Sequence, residues 1–160
     1  MTANDLISQA VKTAIREYSK EQKVEKKKRA LHNTKMLLKN YDKIKSSIDE
    51  AISEESQIND SLKYNEDDGV YINGIRKSKL KSLIIIAHID RALEVVKEEY
   101  NQNATPEKYD AFISCYMNQM SYDEAAVLYI SSKTSISRWV NEVTKEISIQ
   151  LFGVEGIDFI

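Results

Sequence analysis

At 160 residues the chain is long enough for one good core, or for a helical region followed by a module of roughly 50 residues. Hydrophobic residues make up 42% and charged residues 30%, with one Pro and four Gly, so most of the chain can run helical without interruption and the fold class expected is all-α. The net charge of -2 gives no global attraction for nucleic acid, the lone Cys115 excludes an intramolecular disulfide, and the longest apolar run, Leu83–Ala87, is far too short to cross a bilayer.

The first segment places Leu6, Ile7, Ala10, Val11, Ala14, Ile15 and Tyr18 at helical spacing, a stripe that needs a partner. The next repeats the pattern through Leu31, Leu38, Tyr41, Ile44, Ile48 and Ile52, as one bent helix or a helical pair. Charge is polarised along this part. Ten basic residues between Lys20 and Lys45 meet only Glu21, Glu25 and Asp42, whereas eight acids between Asp49 and Asp68 meet only Lys63. Such runs are commonly solvated faces; the alternative is that Lys26, Lys27, Lys28 and Arg29 contact phosphates.

From Ser56 to Ser78 the helical pattern breaks, and Asn73-Gly74 between short β-prone runs predicts a small hairpin near 70–76 or an exposed loop. Leu80, Leu83, Ile84, Ala87, Ala92, Val95, Val96 and Tyr100 then resume a helix, expected at the centre of the core. Asn101–Ala104 reads as a linker. Residues 1–101 form a scaffold or partner-binding region on this reading, with a loop at about 56–78, and residues 105–160 form a separate module.

The module opens on Thr105-Pro106-Glu107: a hydroxyl at the N-cap, Pro at the first helical position and an acid in the first turn. Ala111, Phe112, Cys115 and Tyr116 line one face, which makes Cys115 a small core residue rather than a nucleophile. Ser121 and Glu124 have capping-box spacing, so a short helix starts at Tyr122. After the polar stretch Ser131–Ser135, Ile136, Trp139, Val140, Val143 and Ile147 define a longer helix.

A helix-turn-helix needs a small residue where the helices cross and apolar residues ten and thirteen positions later. Ala126, Ile136 and Trp139 meet that spacing. With those positions buried, the opposite face carries Ser132, Lys133, Thr134, Ser135, Ser137, Arg138, Asn141 and Lys145. Short hydroxyls allow close approach to phosphates, and Arg, Lys and Asn reach base edges in a major groove, so this set is the candidate contact surface for double-stranded DNA. The plainer alternative is a helical pair whose polar face meets water.

The run "SYDEAAVLYISSKTSISRWVNEVTKEISIQLFG" resembles the C-terminal module of the ArpU/RinA-type phage transcriptional regulators, whose helix-turn-helix is similar to region 4 of sigma-70 factors. "KTSISRWVNEV" and the closing Leu151–Gly153 carry most of the resemblance, and "KKKRALHNTKMLLKNYDKIK" adds a weaker part. The resemblance implies a phage or prophage activator of late genes acting at a promoter, with the recognition role on Ser132, Lys133, Thr134, Ser135, Ser137, Arg138 and Asn141. The sequence departs from the pattern at Ile130, where such turns often carry Gly or Asn, and at Ser131, where an apolar residue is usual. Tyr129 or Ile130 would then anchor the turn.

Other functions remain open. A small-terminase-like packaging protein also joins a helix-turn-helix to oligomerising helices, a sigma-like factor would bind RNA polymerase directly, and a helical protein-binding module would not bind DNA at all. An enzyme is not expected: His32 and His88 lie in separate helices, no nucleophile has a base at motif spacing, and no Gly-rich loop is present to cradle a phosphate. No paired His, Cys-x-x-Cys or EF-hand spacing suggests a metal, and no cofactor is expected. The expected location is the cytoplasm of a bacterial host, on the nucleoid, with a homo-oligomer open. The apolar end, with Ile157, Phe159 and Ile160, is expected to pack back on the domain or to meet a partner.

Overall fold

The computed structural model describes residues 3–58 and 66–156, with side chains over 4–49 and 73–153. Six helices follow in order: α1 (Ala3–Lys39), α2 (Tyr41–Ile58), α3 (Glu66–Gln102), α4 (Pro106–Tyr116), α5 (Tyr122–Leu128) and α6 (Lys133–Phe152), closed by a 3-10 turn over Gly153–Gly156. There is no strand among the described residues, and the fold is all-α. No described helix is long and apolar enough to cross a membrane.

Asn40 makes the bend between α1 and α2. Its N–H still reaches the Met36 carbonyl at 3.2 Å and its own carbonyl accepts from Ile44 N–H at 2.9 Å, so helical bonding runs through the corner. The Asn40 side chain donates to the same Met36 carbonyl at 2.8 Å, one of the local bonds that draw Asn to helix breaks. α2 then runs back along α3, held by Tyr41 hydroxyl donating to the Asp90 carboxylate and by Lys79 Nζ donating to the Ser47 carbonyl at 2.9 Å.

The expected hairpin near 70–76 is absent; α3 runs straight through it from Glu66. The Asn73-Gly74 signal yields to the long helical run behind it. A lone two-stranded hairpin is marginal in water, whereas one Gly inside a helix costs only about 1 kcal/mol relative to Ala. The expected loop at 56–78 shrinks accordingly, and its 59–65 part lies outside the described residues.

α6, rather than α3, is the centre of the fold: α1, α3, α4, α5 and the final turn all pack on it. Ile136, Val140, Val143 and Ile147 supply its buried side, at 0–1% exposure. Ile86, Ile89, Ala92 and Val96 of α3, Ala111 and Phe112 of α4, and Leu38 of α1 join them in one hydrophobic cluster. Side chains from both sides of Asn101–Ala104 therefore share a core. The buried Thr34 and Thr144 hydroxyls are satisfied within their own helices, donating to the Ala30 and Val140 carbonyls at 2.9 and 2.6 Å.

The final turn folds back on α6 and touches α1. Gly156 is buried there, and the approach is close enough that a Cβ would stand 2.9 Å from the backbone of Ile149. Ile157, Phe159 and Ile160, in the tail expected to pack back, lie outside the described residues.

Candidate nucleic-acid interface

α5 and α6 are joined by four residues, Tyr129–Ser132, and local hydrogen bonds cap the start of each helix. The capping box forms as its spacing predicts: Ser121 Oγ accepts from Glu124 N–H at 3.2 Å while Ser121 N–H donates to the Glu124 carboxylate at 2.9 Å. The Ser121 N–H and then its hydroxyl hold the Glu124 carboxyl below its ordinary range. Ser132 caps α6, with Oγ accepting from Ser135 N–H at 3.1 Å and donating to Ser135 Oγ at 2.9 Å. At α4 the expected cap is only half made. Pro106 takes the first turn, but Thr105 at the N-cap makes no side-chain bond.

The turn is anchored by Tyr129 and not by Ile130. Tyr129 Oη shares a 2.8 Å hydrogen bond with Ser114 Oγ, tying the connection to α4, while Ser131 N–H donates to the Ala126 carbonyl at 2.9 Å. Ile130 stands 94% exposed with φ 49°, in the left-handed region that β-branched residues rarely enter. The departure from Gly or Asn at this position is therefore met by backbone strain, of order 1–2 kcal/mol. The helix crossing also differs in detail from the expected spacing: Ala125 is fully buried and Ala126 only partly, and Val140 is buried where Trp139 is half-buried.

With Ile136, Val140 and Val143 facing inward, the opposite side of α6 forms one wall of an open groove of about 700 Å³. Lys133, Thr134, Ser137, Arg138, Asn141 and Lys145 all line it. Ser132 and Ser135 do not, since their hydroxyls are used in the cap. The structure thus gathers six of the eight candidates into one surface and leaves two as the parts that aim the helix.

Two acids temper the charge of this surface: Glu142 lines the groove, and Asp123 of α5 pairs with Lys133. Lys133 Nζ lies 2.9 Å from Asp123 Oδ2, a carboxylate on the first turn of α5. Glu142 accepts from Lys108 Nζ at 3.0 Å and stands 3.9 Å from Arg138 Nε. Arg138 and Glu142 are four apart on one helix, so that pairing was readable from spacing; Asp123 and Lys108 arrive through tertiary packing. Tyr122, at the start of α5, closes the other wall, and burial raises its phenol pKa.

Lys26, Lys27, Lys28 and Arg29 sit on α1, and no residue of α1 lines the groove. Arg29 pairs with Glu25 at 3.2 Å and Lys27 is half-buried. Cys115 packs partly buried against the core, where burial pushes its thiol pKa up and away from nucleophilic character. His32 and His88 are both exposed on helix faces. No cluster of three His, Cys, Asp or Glu side chains suited to a metal ion occurs among the described residues.

Compared with models of known protein families, with curated proteins and with solved structures, the chain gives no match.

Proposed function

We propose that the protein is a sequence-specific regulator of transcription that binds double-stranded DNA with α6 laid in the major groove. The observation that carries this reading is the division of α6 into two faces. One is buried at Ile136, Val140 and Val143; the other offers Lys133, Thr134, Ser137, Arg138, Asn141 and Lys145 in one open groove. These types suit the task. Arg138 and Asn141 have the donors and acceptors that read guanine and adenine edges, and Lys133 and Lys145 supply charge for the backbone. The α6 N-terminus, capped by Ser132, adds a favourable dipole for a phosphate.

The narrower reading, a phage or prophage activator of late genes that works beside RNA polymerase on the host nucleoid, rests on the family resemblance, carried mainly by residues 121–153 and more weakly by residues 26–45. The role is binding rather than catalysis. Genomic fragments selected by the purified protein and quantified by fluorescence anisotropy test it. A recovered motif should lose about 1–3 kcal/mol of binding with Arg138→Ala, with specificity relaxed at one position. Lys145→Ala should weaken all sequences alike and lower the salt slope by about one. Selection of no motif, with no salt-sensitive binding, would leave the groove as a solvated helix face.

A further inference from the structure

The first half of α1 leaves the globule with its apolar side uncovered. Leu6, Ile7, Val11, Ile15 and Tyr18 are each 52–64% exposed, and the small Ala10 and Ala14 between them are exposed as well. Ala10 and Ala14 line a shallow hollow between Leu6 and Glu17, the shape a protruding side chain of another helix would fill. Ile7, Val11, Ala14 and Tyr18 recur at steps of four, three and four, a coiled-coil seam. The next two positions on that line are Glu21 and Glu25, so the seam stops after Tyr18.

We propose that this stripe is a dimerisation seam occupied by the same stripe of a second copy, the two α1 arms running antiparallel. Charge argues for the orientation. A parallel pair would set Glu21 against Glu21 and bring two copies of the basic run over 20–29 side by side, six cations to two acids in each. An antiparallel pair sets Ile7 opposite Tyr18 and Val11 opposite Ala14, large against small at the middle. It sends Glu21, Glu25 and the basic runs to opposite ends. Glu25 already pairs with Arg29 at 3.2 Å, which such an arrangement leaves intact.

Area argues for the occupant. Roughly 100 Å² stays open on each of the five large side chains, which with the two alanines gives about 600 Å² per copy and about 1,200 Å² for the pair. That is the lower edge of what a specific interface buries, the size class of weak, reversible association. The inference does not depend on DNA binding, and a dimer built this way carries two α6 grooves.

Sedimentation equilibrium of the full chain from 1 to 100 μM (about the range in which weak, reversible association titrates) tests the seam. A monomer–dimer equilibrium is expected, and Val11→Glu should weaken it at least ~100-fold because the pair carries the change twice. Far-UV circular dichroism should be unchanged, since Val11 touches nothing in the core. Orientation is read separately in a Cys115→Ser background by mixing Ile7→Cys chains with Tyr18→Cys chains under oxidation. Mixed disulfides should dominate. A monomer at every concentration overturns the proposal. So does a dimer indifferent to Val11→Glu, which would move self-association to another face such as Leu80–Ile85 of α3. Dominant Ile7→Cys homodisulfides would overturn the antiparallel arrangement.

Discussion

Lys133, the first residue of α6, holds its ammonium 2.9 Å from the carboxylate of Asp123 on α5, ten residues earlier in the chain. Both side chains are largely exposed, so the pair adds little to stability and much to the local potential. A phosphate reaching the α6 N-terminus competes with Asp123 for Lys133. On the DNA-binding function proposed above, Asp123→Asn should therefore tighten DNA binding by roughly 3- to 10-fold at low salt, with the gain shrinking as ionic strength rises. Anisotropy titrations of wild type and variant across a salt series check it. An unchanged or weakened affinity would mean that Asp123 positions Lys133 rather than competing for it.

Ile130 offers a second test, confined to the turn. Its side chain is almost wholly in water, so replacing it removes no packing, while its φ of 49° is unfavourable for a β-branched residue. Ile130→Asn should stabilise the fold by about 1 kcal/mol, since Asn tolerates the left-handed region without the unfolded-state entropy of Gly. Urea denaturation at constant m-value measures this. Destabilisation would show that Ile130 makes contacts the exposed turn does not account for.

The local signals of the sequence translated well into structure. Ser121 with Glu124 and the buried run from Ile136 to Ile147 act within one helix or across one cap, where side-chain type nearly determines geometry, whereas the choice of Ser132 among the hydroxyls of Ser131–Ser135 as the α6 cap is settled only by the fold. The misses share a different cause. Asn73-Gly74 reads as a turn only if its flanks have a sheet to join, and here they continue a 37-residue helix. Trp139 fits the spacing of a buried residue, yet it stands only partly covered, and the pairings of Lys133 with Asp123 and of Glu142 with Lys108 come from packing between elements that no spacing rule foresees. The stripe of α1 needed a partner on sequence grounds, and within the chain its first half has none of the core's cover.

Gly74 separates helix from turn directly. It lies inside α3, has no positive φ, and a Cβ there would meet nothing within 4 Å. Gly74→Ala should stabilise the protein by about 0.5–1 kcal/mol and raise the helical signal slightly. A hairpin with Gly in the left-handed region would respond with the opposite sign, so the direction of the change decides between the two.

Alkaline pH should destabilise the protein through the buried Tyr109 and the half-buried Tyr100. Burial, and for Tyr100 also Glu146 and Glu142 nearby, pushes the pKa of Tyr100 and of Tyr109 up to about 12, against an ordinary value of 10.0. Above that ordinary value the unfolded chain releases these protons while the folded chain still holds them, so stability falls as pH rises. It is fully present below pH 10.0 and declines towards about 12. Tyr109→Phe should flatten the decline in thermal melts taken across that window. A decline of unchanged steepness would assign it to other groups.

The relation between Ile136 and Trp139 yields the last test. Ile136 is fully buried in the core cluster, whereas Trp139 is only partly covered. Truncating a fully buried Ile costs about 2–5 kcal/mol, through lost transfer energy and the cavity left behind. A half-buried ring loses a smaller share, with water filling the space it vacates. Ile136→Ala should thus cost about 3 kcal/mol or more and Trp139→Ala about 1–2 kcal/mol, the reverse of what side-chain size alone suggests. Chemical denaturation of both variants measures the order. Because Trp139 is the single tryptophan, the comparison needs circular dichroism and not fluorescence. A larger loss at Trp139 would mean that the partly covered indole contributes more to the packing of α6 than its exposure accounts for.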